Sequence, residues 1–395
     1  MLLLNALPER GGALAPADAA LFDEAAAREA AAYLTGRADH APTPLARLPG
    51  LAARIGVATI AVKDEGRRLG LGSFKALGGA YAVTRAARDH AGARLGRAVA
   101  ARELASGPAR DALSDFVACC ATDGNHGRSV AQGARMLGVR CVVFVHAGVS
   151  AARAAAIASY GAQIARVPGS YDDSVAEAAR VAAREGWTVV SDTAWPGYER
   201  IPGYVMQGYT AIVDETLAAL DAAPTHVFLQ AGVGGFAAAV AGRMAARLGA
   251  GRTKIIVVEP ARAACLFASA EAGAPLRIPH GAPTVMAMLE CCEPSLSAWR
   301  ILARLADAFM TVEEDDAPAA MLRLARPAPG DPAIVAGESG CVGMAGLLKA
   351  ARDEATRAAL GLDAASRVLL VNTEGATDPG LYRDLTGIDP DIVAA

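Results

Sequence analysis

The apolar positions along the chain collect in short runs at 58–64 (ATIAVKD), 116–123 (FVACCATD), 139–146 (VRCVVFVH), 162–168 (AQIARVP), 187–192 (WTVVSD), 225–232 (THVFLQAG), 253–260 (TKIIVVEP) and 367–375 (RVLLVNTEG). A strand with one wet face alternates apolar and polar residues; a run without alternation marks a strand covered on both faces. Between the runs lie alanine-rich stretches of helical period, long enough for the crossovers that parallel strands require. The pattern predicts an α/β protein with mainly parallel, open sheets covered by helices. Residues 91–114, rich in Ala, Arg and Gly and poor in pattern, predict a helix followed by a flexible connection.

Ligands of open parallel sheets gather beyond the carboxyl ends of the strands. Those ends read TDGNHG, SDTAW, AGVGG, EPARAAC and NTEGATD, each rich in glycine or acid. At any one of them a glycine can simply end a strand. Five together point to a binding site.

Composition narrows the classes. A chain of 395 residues has length for two or three domain-sized units. Its net charge of −3 leaves no cationic surplus for a nucleic-acid backbone or an anionic membrane. The apolar part of the opening MLLLNALPER is too short for a signal core, and no run approaches the ~18 apolar residues of a membrane span. The expectation is a cytoplasmic protein with neither nucleic acid nor membrane as a partner. Cys119, Cys120, Cys141, Cys265, Cys291, Cys292 and Cys341 show no CxxC spacing and no paired His, which predicts reduced thiols and no metal site. A pairing of Cys265 with Cys291 or Cys292 stays open. Lys63, Lys75, Lys254 and Lys349 are the four lysines among 38 Lys and Arg residues. Arginine serves wherever a fixed cation suffices, so a retained lysine can mark a place where the proton must come off.

The segment GSFKALGGAYAV, residues 72–83, sets Lys75 at the start of a helix between Phe74 and the pair Gly78 and Gly79. A lysine that forms a Schiff base must be desolvated enough to be a neutral nucleophile, and small neighbours would let a flat cofactor approach the backbone. A second segment, AGVGGFAAAVAG at 231–242, is a glycine turn opening a helix, where bare backbone N–H groups suit a phosphate. Alone it also fits a dinucleotide fold, with Glu259 in the place of the ribose-binding acid. A third, ATDGNHGRSVAQGARMLG at 121–138, starts a helix near Asn125; its amides suit a carboxylate and Asn125 can bond a cofactor oxygen. His126 reads better as a structural residue of the helix start than as a base.

These three segments, in this order and at these separations, resemble the tryptophan-synthase-like (fold type II) pyridoxal-phosphate enzymes. Within that group the strings KDEGRRLGLGSFKALGGAYAV, TDGNHGRSVA, SDTAWPGYERIPGYVMQGY, VVEPARAACL, PTVMAMLECCEP, GESGCVGMAGL and NTEGATDP, spread over residues 63–379, are similar to the diaminopropionate ammonia-lyases. Asp123 is the most discriminating letter, because serine and threonine dehydratases have a small neutral residue there. Met288, in place of an expected glycine, and the pair Cys291 and Cys292 depart from the pattern and put the shape of the pocket in question.

The resemblance implies a two-domain enzyme with pyridoxal 5′-phosphate as cofactor: a large domain of residues 1–87 and 205–395, and a small domain of 88–204 carrying the TDGNHG loop. It implies that Lys75 holds the cofactor as a Schiff base, that Gly232, Val233, Gly234 and Gly235 cradle the phosphate, that Asn125 bonds the phenolic oxygen and that Thr373 faces the pyridine nitrogen. A hydroxyl in that last place makes the ring a milder electron sink. Thr122, Asp123, Gly124, Asn125 and Asp192 would hold the amino-acid substrate, with Asp123 and Asp192 as acid–base groups on its opposite sides. The implied reaction is α,β-elimination of 2,3-diaminopropionate, with released aminoacrylate hydrolysing to pyruvate and a second ammonia. Asp123 is the candidate base for the D isomer and Asp192 or Lys75 for the L isomer, in a homodimer. The rivals are a serine/threonine dehydratase or another β-eliminating or β-replacing enzyme of this fold and, from a different class, a non-catalytic binding protein.

Overall fold

The structure is a computed structural model and describes residues 1–122 and 124–394. In chain order the strands are β1 (Leu2–Leu4), β2 (Leu45–Arg47), β3 (Thr59–Asp64), β4 (Val117–Ala121), β5 (Arg140–His146), β6 (Gln163–Val167), β7 (Thr188–Val189), β8 (His226–Gln230), β9 (Lys254–Pro260), β10 (Ala308–Val312) and β11 (Arg367–Asn372). Every apolar run contains one of them. β1, β2 and β10 were not expected. The first two are three-residue antiparallel edges, and β10, though fully buried, is a run of only five residues, AFMTV. The stretch 91–114 holds the end of helix Lys75–Leu95, a 3₁₀ turn Ala101–Ala105 and a short helix Gly107–Asp111.

The chain forms two compact units: Met1–Ala26, Ala41–Phe74 and residue 210 onward in the first, Ala27–His40 and Lys75–Tyr209 in the second. Helix Lys75–Leu95 thus lies whole within the second unit, where the sequence reading cut it at 87; the later break falls five residues beyond the expected 204.

The first unit's sheet has the order β1-β10-β9-β8-β11-β3-β2, its five central strands parallel and both edges antiparallel. β8 and β11 are wholly apolar through Val227–Leu229 and Val368–Val371, all at most 2% exposed, because helices cover both faces. Each such side chain contributes ~2 kcal/mol by leaving water. The chain leaves β8 towards β9 and β10, while β11 and β3 extend the sheet on the other side, so the carboxyl ends of β8 and β11 adjoin at a reversal of strand order. Reversals of this kind leave a crevice for a ligand.

The second unit's sheet, β6-β5-β4-β7, is entirely parallel. It reverses between β4 and β7, whose carboxyl ends carry the TDGNHG and SDTAW segments. No helix among the described residues is long and apolar enough to cross a membrane.

Candidate active site

In the second unit, Lys75 is the first residue of helix Lys75–Leu95 and Asp192 lies just past β7. The Lys75 Nζ donates to Asp192 Oδ2, with the two side chains 22% and 19% exposed. Burial pushes the ionisation of the Tyr209 hydroxyl well above the ordinary tyrosine range, with Lys75 opposing the shift without reversing it, so Tyr209 stays neutral. Burial works against the charge of Asp192, but Lys75 and then His126 outweigh it and hold the carboxyl well below the usual carboxylate range.

The backbone leading to Asp192 is fixed residue by residue. Tyr198 Oη donates to Val189 O at 2.7 Å and accepts from Ser191 N at 3.1 Å. Val190 N donates to Cys119 O at 2.7 Å, and His126 Nε2 lies 2.8 Å from Val190 O. Ser191 Oγ accepts from Thr193 N at 3.1 Å. Rings of Trp195 and Tyr198 stack with centroids 4.0 Å apart, which holds Tyr198 over the loop. A carboxylate carried on such a loop keeps its direction.

The structure corrects one expectation at the lysine. A Cβ on Gly78 would stand 2.5 Å from the Tyr209 ring, and one on Gly79 would stand 2.6 Å from Ser129 Oγ. These glycines admit neighbouring helices, not a flat ligand. The next turn repeats the theme: Gly133 lets helix Asn125–Leu137 approach the backbone of Ala80, and Ser129 Oγ accepts from Ala80 N at 3.0 Å. Close packing on the far side is thereby what sets the direction of the first turn.

The TDGNHG loop is closed by Thr122, whose Oγ1 accepts from Gly124 N at 3.1 Å and Gly127 N at 3.2 Å. This satisfies two amides at the start of helix Asn125–Leu137. Asn125 is buried as its first residue, with Oδ1 3.3 Å from Arg128 Nη1. Asp123 lies outside the described residues.

In the first unit β8 runs directly into the glycine turn. Gly234 has φ +96°, a left-handed backbone that a side chain resists, and it caps helix Gly235–Leu248. A Cβ on Gly232 would stand 2.9 Å from Cys291 Sγ. Val233 O accepts from Ser295 N at 2.9 Å, and Gly232 O accepts from Cys265 Sγ at 3.6 Å. Two of the turn's carbonyls are thus engaged by neighbouring segments, and its amides open a helix.

Thr373 follows β11. Buried Gln230 has its Nε2 at 2.8 Å from Thr373 Oγ1, 2.7 Å from Gly340 O and 2.9 Å from Val371 O. Gly232, Gly234 and Thr373 are thus brought to one end of one sheet and joined through Gln230. Thr373 N donates to Gly340 O at 3.2 Å, and Thr373 O accepts from Phe74 N at 2.9 Å; the Phe74 ring meets Phe236 at 4.7 Å.

Glu259, the acid a dinucleotide site would need, is fully buried and spent elsewhere. Its carboxylate accepts from Leu266 N at 2.8 Å and Phe267 N at 2.7 Å in the first turn of helix Cys265–Ala272, and burial pushes it up to about 8. The remaining lysines are also structural. Lys63 bonds Thr43 O and Glu215 in a buried network with Arg68 and Glu65; Lys254 bonds Leu360 O at 2.7 Å; Lys349 bonds Thr311 O at 3.0 Å.

Comparison with known proteins places the chain in a family. Residues 37–374 match the family described as pyridoxal-phosphate dependent enzymes. The chain is 39% identical over 359 residues, 88% of each chain, to a diaminopropionate ammonia-lyase of Salmonella typhimurium. It belongs to the diaminopropionate ammonia-lyase family of pyridoxal-phosphate-dependent enzymes. The holo structure of the family member from Escherichia coli superposes with a TM-score of 0.87 at 34% identity, over 98% of this chain and 96% of that one. The same enzyme solved with an aminoacrylate-PLP azomethine reaction intermediate gives a TM-score of 0.86 at the same identity and coverage. Fold type II architecture, expected from the ordered segments, is therefore the architecture of this family and this chain.

Sequence reasoning passed over Tyr209, Tyr198 and Gln230. Gln230 carried a signal: a lone polar residue ending an otherwise apolar buried strand must find partners. The two tyrosines, in a segment read only as a family string, carried none.

Proposed function

We propose that this protein is a pyridoxal 5′-phosphate-dependent ammonia-lyase that converts 2,3-diaminopropionate into pyruvate and two molecules of ammonia by α,β-elimination. One observation carries the reading: a largely buried lysine amine is paired with a carboxylate, with a neutral tyrosine in its field, at the reversal of a parallel sheet. Family membership supports it.

The residues present fit the cofactor. Thr373 Oγ1 lies against Gln230 Nε2, which can only donate, so its own proton is what Thr373 has to offer to a ring nitrogen. The glycine turn offers amides at the start of a 14-residue helix, as a phosphate requires. In this reading Lys75 carries the cofactor, Gly232, Val233, Gly234 and Gly235 hold its phosphate, Asn125 bonds its phenolic oxygen and Thr373 meets its ring nitrogen. When bound, pyridoxal phosphate supplies an electron sink that stabilises negative charge at the substrate α-carbon.

The chain's own groups do the rest. Thr122, Gly124 and Asn125 at a helix start, with Asp123, orient the substrate carboxylate. Asp192 attracts the β-ammonium and accepts the α-proton of the L isomer, with Lys75 as its partner in that task; Asp123 serves the D isomer. Asp192 suits the part because Lys75 keeps it ionised and the pinned loop keeps it aimed. The domain division that accompanies this reading is a large cofactor-binding domain of residues 1–87 and 205–395 and a small domain of 88–204 carrying the TDGNHG loop. The protein acts as a cytoplasmic homodimer; the seven cysteines, all free thiols, suit a reducing compartment. Release of ammonia and pyruvate from diaminopropionate, with neither released from serine or threonine at a comparable rate, is the expected result. Turnover of serine in preference would transfer the protein to the dehydratases.

A further inference from the structure

His126 was read from sequence as a structural residue of a helix start, and one of its nitrogens is that. Val190 O can only accept, so the Nε2 at 2.8 Å must carry the ring's proton. In the neutral ring Nδ1 then bears a bare lone pair. That nitrogen is buried, has no hydrogen-bond partner among the described residues, and stands 3.8 Å from Asp192 Oδ2. A lone pair facing a carboxylate oxygen is unfavourable while both lack a proton, and favourable as soon as either gains one. We propose that His126 is a positioning residue for Asp192 that also stores its proton: Nε2 fixes the loop through Val190 while Nδ1 receives the proton that Asp192 takes up.

The inference rests on the elimination reading and deepens it. In the forward direction the substrate Cα–H bond breaks as an O–H bond forms on Asp192, and that O–H bond breaks as N–H forms on Nδ1, its electron pair staying on the carboxylate. The β-ammonium departs as ammonia with the electrons of its C–N bond. The reverse transfer clears the imidazolium at the end of turnover, and the proton leaves on the second ammonia. No oxidant or co-reactant is needed.

The surroundings favour transient storage. The groups facing this pair are Lys75, the hydroxyls of Tyr209 and Tyr198, and the thiols of Cys119 and Cys120. Burial pushes both tyrosines and both thiols up, so none competes for charge near neutral pH. Burial also lowers His126 below the ordinary histidine value, with Asp192 opposing and Lys75 adding to that effect. The ring is therefore neutral and able to accept.

His126→Gln is the informative change, since the Gln amide can reproduce the Nε2–H bond to Val190 and has no basic atom. In the holoenzyme, kcat for L-diaminopropionate should fall about tenfold or more, with KM and cofactor absorbance kept, and the acid limb of the wild-type pH profile should disappear. Unchanged kcat and pH profile, with wild type active, would overturn the proposal and leave the elimination reading intact. Wild type that releases no ammonia from diaminopropionate would overturn both. A second readout needs no turnover: in full-length Lys75→Ala, removal of the ammonium leaves Asp192 as the nearest charge, so the His126 ring resonance should titrate at higher pH than in wild type. Titration that stays in place would show that His126 and Asp192 are uncoupled, whether or not the Gln variant folds.

Discussion

Both sheets reverse their strand order, and the chain furnishes the two reversals by opposite means. Beyond β4 and β7 it places ionisable side chains, Lys75, Asp192 and His126, and spends tyrosine and histidine bonds on aiming them. Beyond β8 and β11 it places a left-handed glycine, a glutamine amide and a threonine hydroxyl, with the buried Glu374 directly after Thr373. In the proposed function the first arrangement moves protons. In the same proposal the second holds the cofactor's phosphate and ring.

Breaking the first arrangement should have the larger effect. Lys75→Ala and Lys75→Arg should each abolish the covalently held cofactor, read as loss of the borohydride-reducible absorbance, and nearly all turnover, because guanidinium will not form the imine. Retained activity in either would remove Lys75 from the site. Asp192→Asn and Asp123→Asn should each lower kcat on the order of a hundredfold without loss of cofactor absorbance. The Asp123 change should strike the D isomer harder and the Asp192 change the L isomer at least as hard. Equal small losses on both isomers would make both aspartates structural.

Legibility divides along the same line. Eight of the strands were readable because parallel strands of helix-covered sheets leave unbroken apolar runs; β1 and β2 were not, because three-residue edge strands are fixed by pairing and not by pattern. Lys75 stood out by its glycine-rich context, yet for a reason the structure revises, since Gly78 and Gly79 receive Tyr209 and Ser129. Lysine scarcity did not by itself single out Lys75: buried Lys63, half-buried Lys349 and exposed Lys254 all serve as carbonyl or carboxylate partners. Glu259 looked like a ligand-binding acid because capping and binding use the same letter at the same strand end. Which amides it meets is a matter of where the following helix turns back, and sequence does not carry that.

Smaller effects sharpen the second arrangement. Gly234→Ala forces a side chain into the left-handed region at a cost of ~1–2 kcal/mol and should weaken retention of pyridoxal phosphate, measured by equilibrium binding, while Asp192-dependent isomer preference stays unchanged. Thr373→Val leaves Gln230 with Gly340 O and Val371 O, so stability should fall by only ~1 kcal/mol, while the cofactor absorbance shifts. Glu259→Gln gives the mildest, pH-dependent result. The unfolded chain loses this proton near the ordinary value of about 4.3, whereas the folded protein keeps it until about 8. A raised carboxyl contributes stability that is present below the ordinary value and is lost as pH rises towards about 8. Melting temperature against pH should therefore decline over that interval more steeply in wild type than in the variant, and parallel curves would place the charge elsewhere.

The claim that the Lys75–Asp192 pair belongs to an ammonia-lyase acting on diaminopropionate meets its most direct test in the stoichiometry of wild-type turnover. With each isomer of 2,3-diaminopropionate supplied separately, the account predicts two molecules of ammonia for every pyruvate formed, and no turnover of either isomer by Lys75→Ala. One ammonia per pyruvate from serine, with diaminopropionate left untouched, would contradict it.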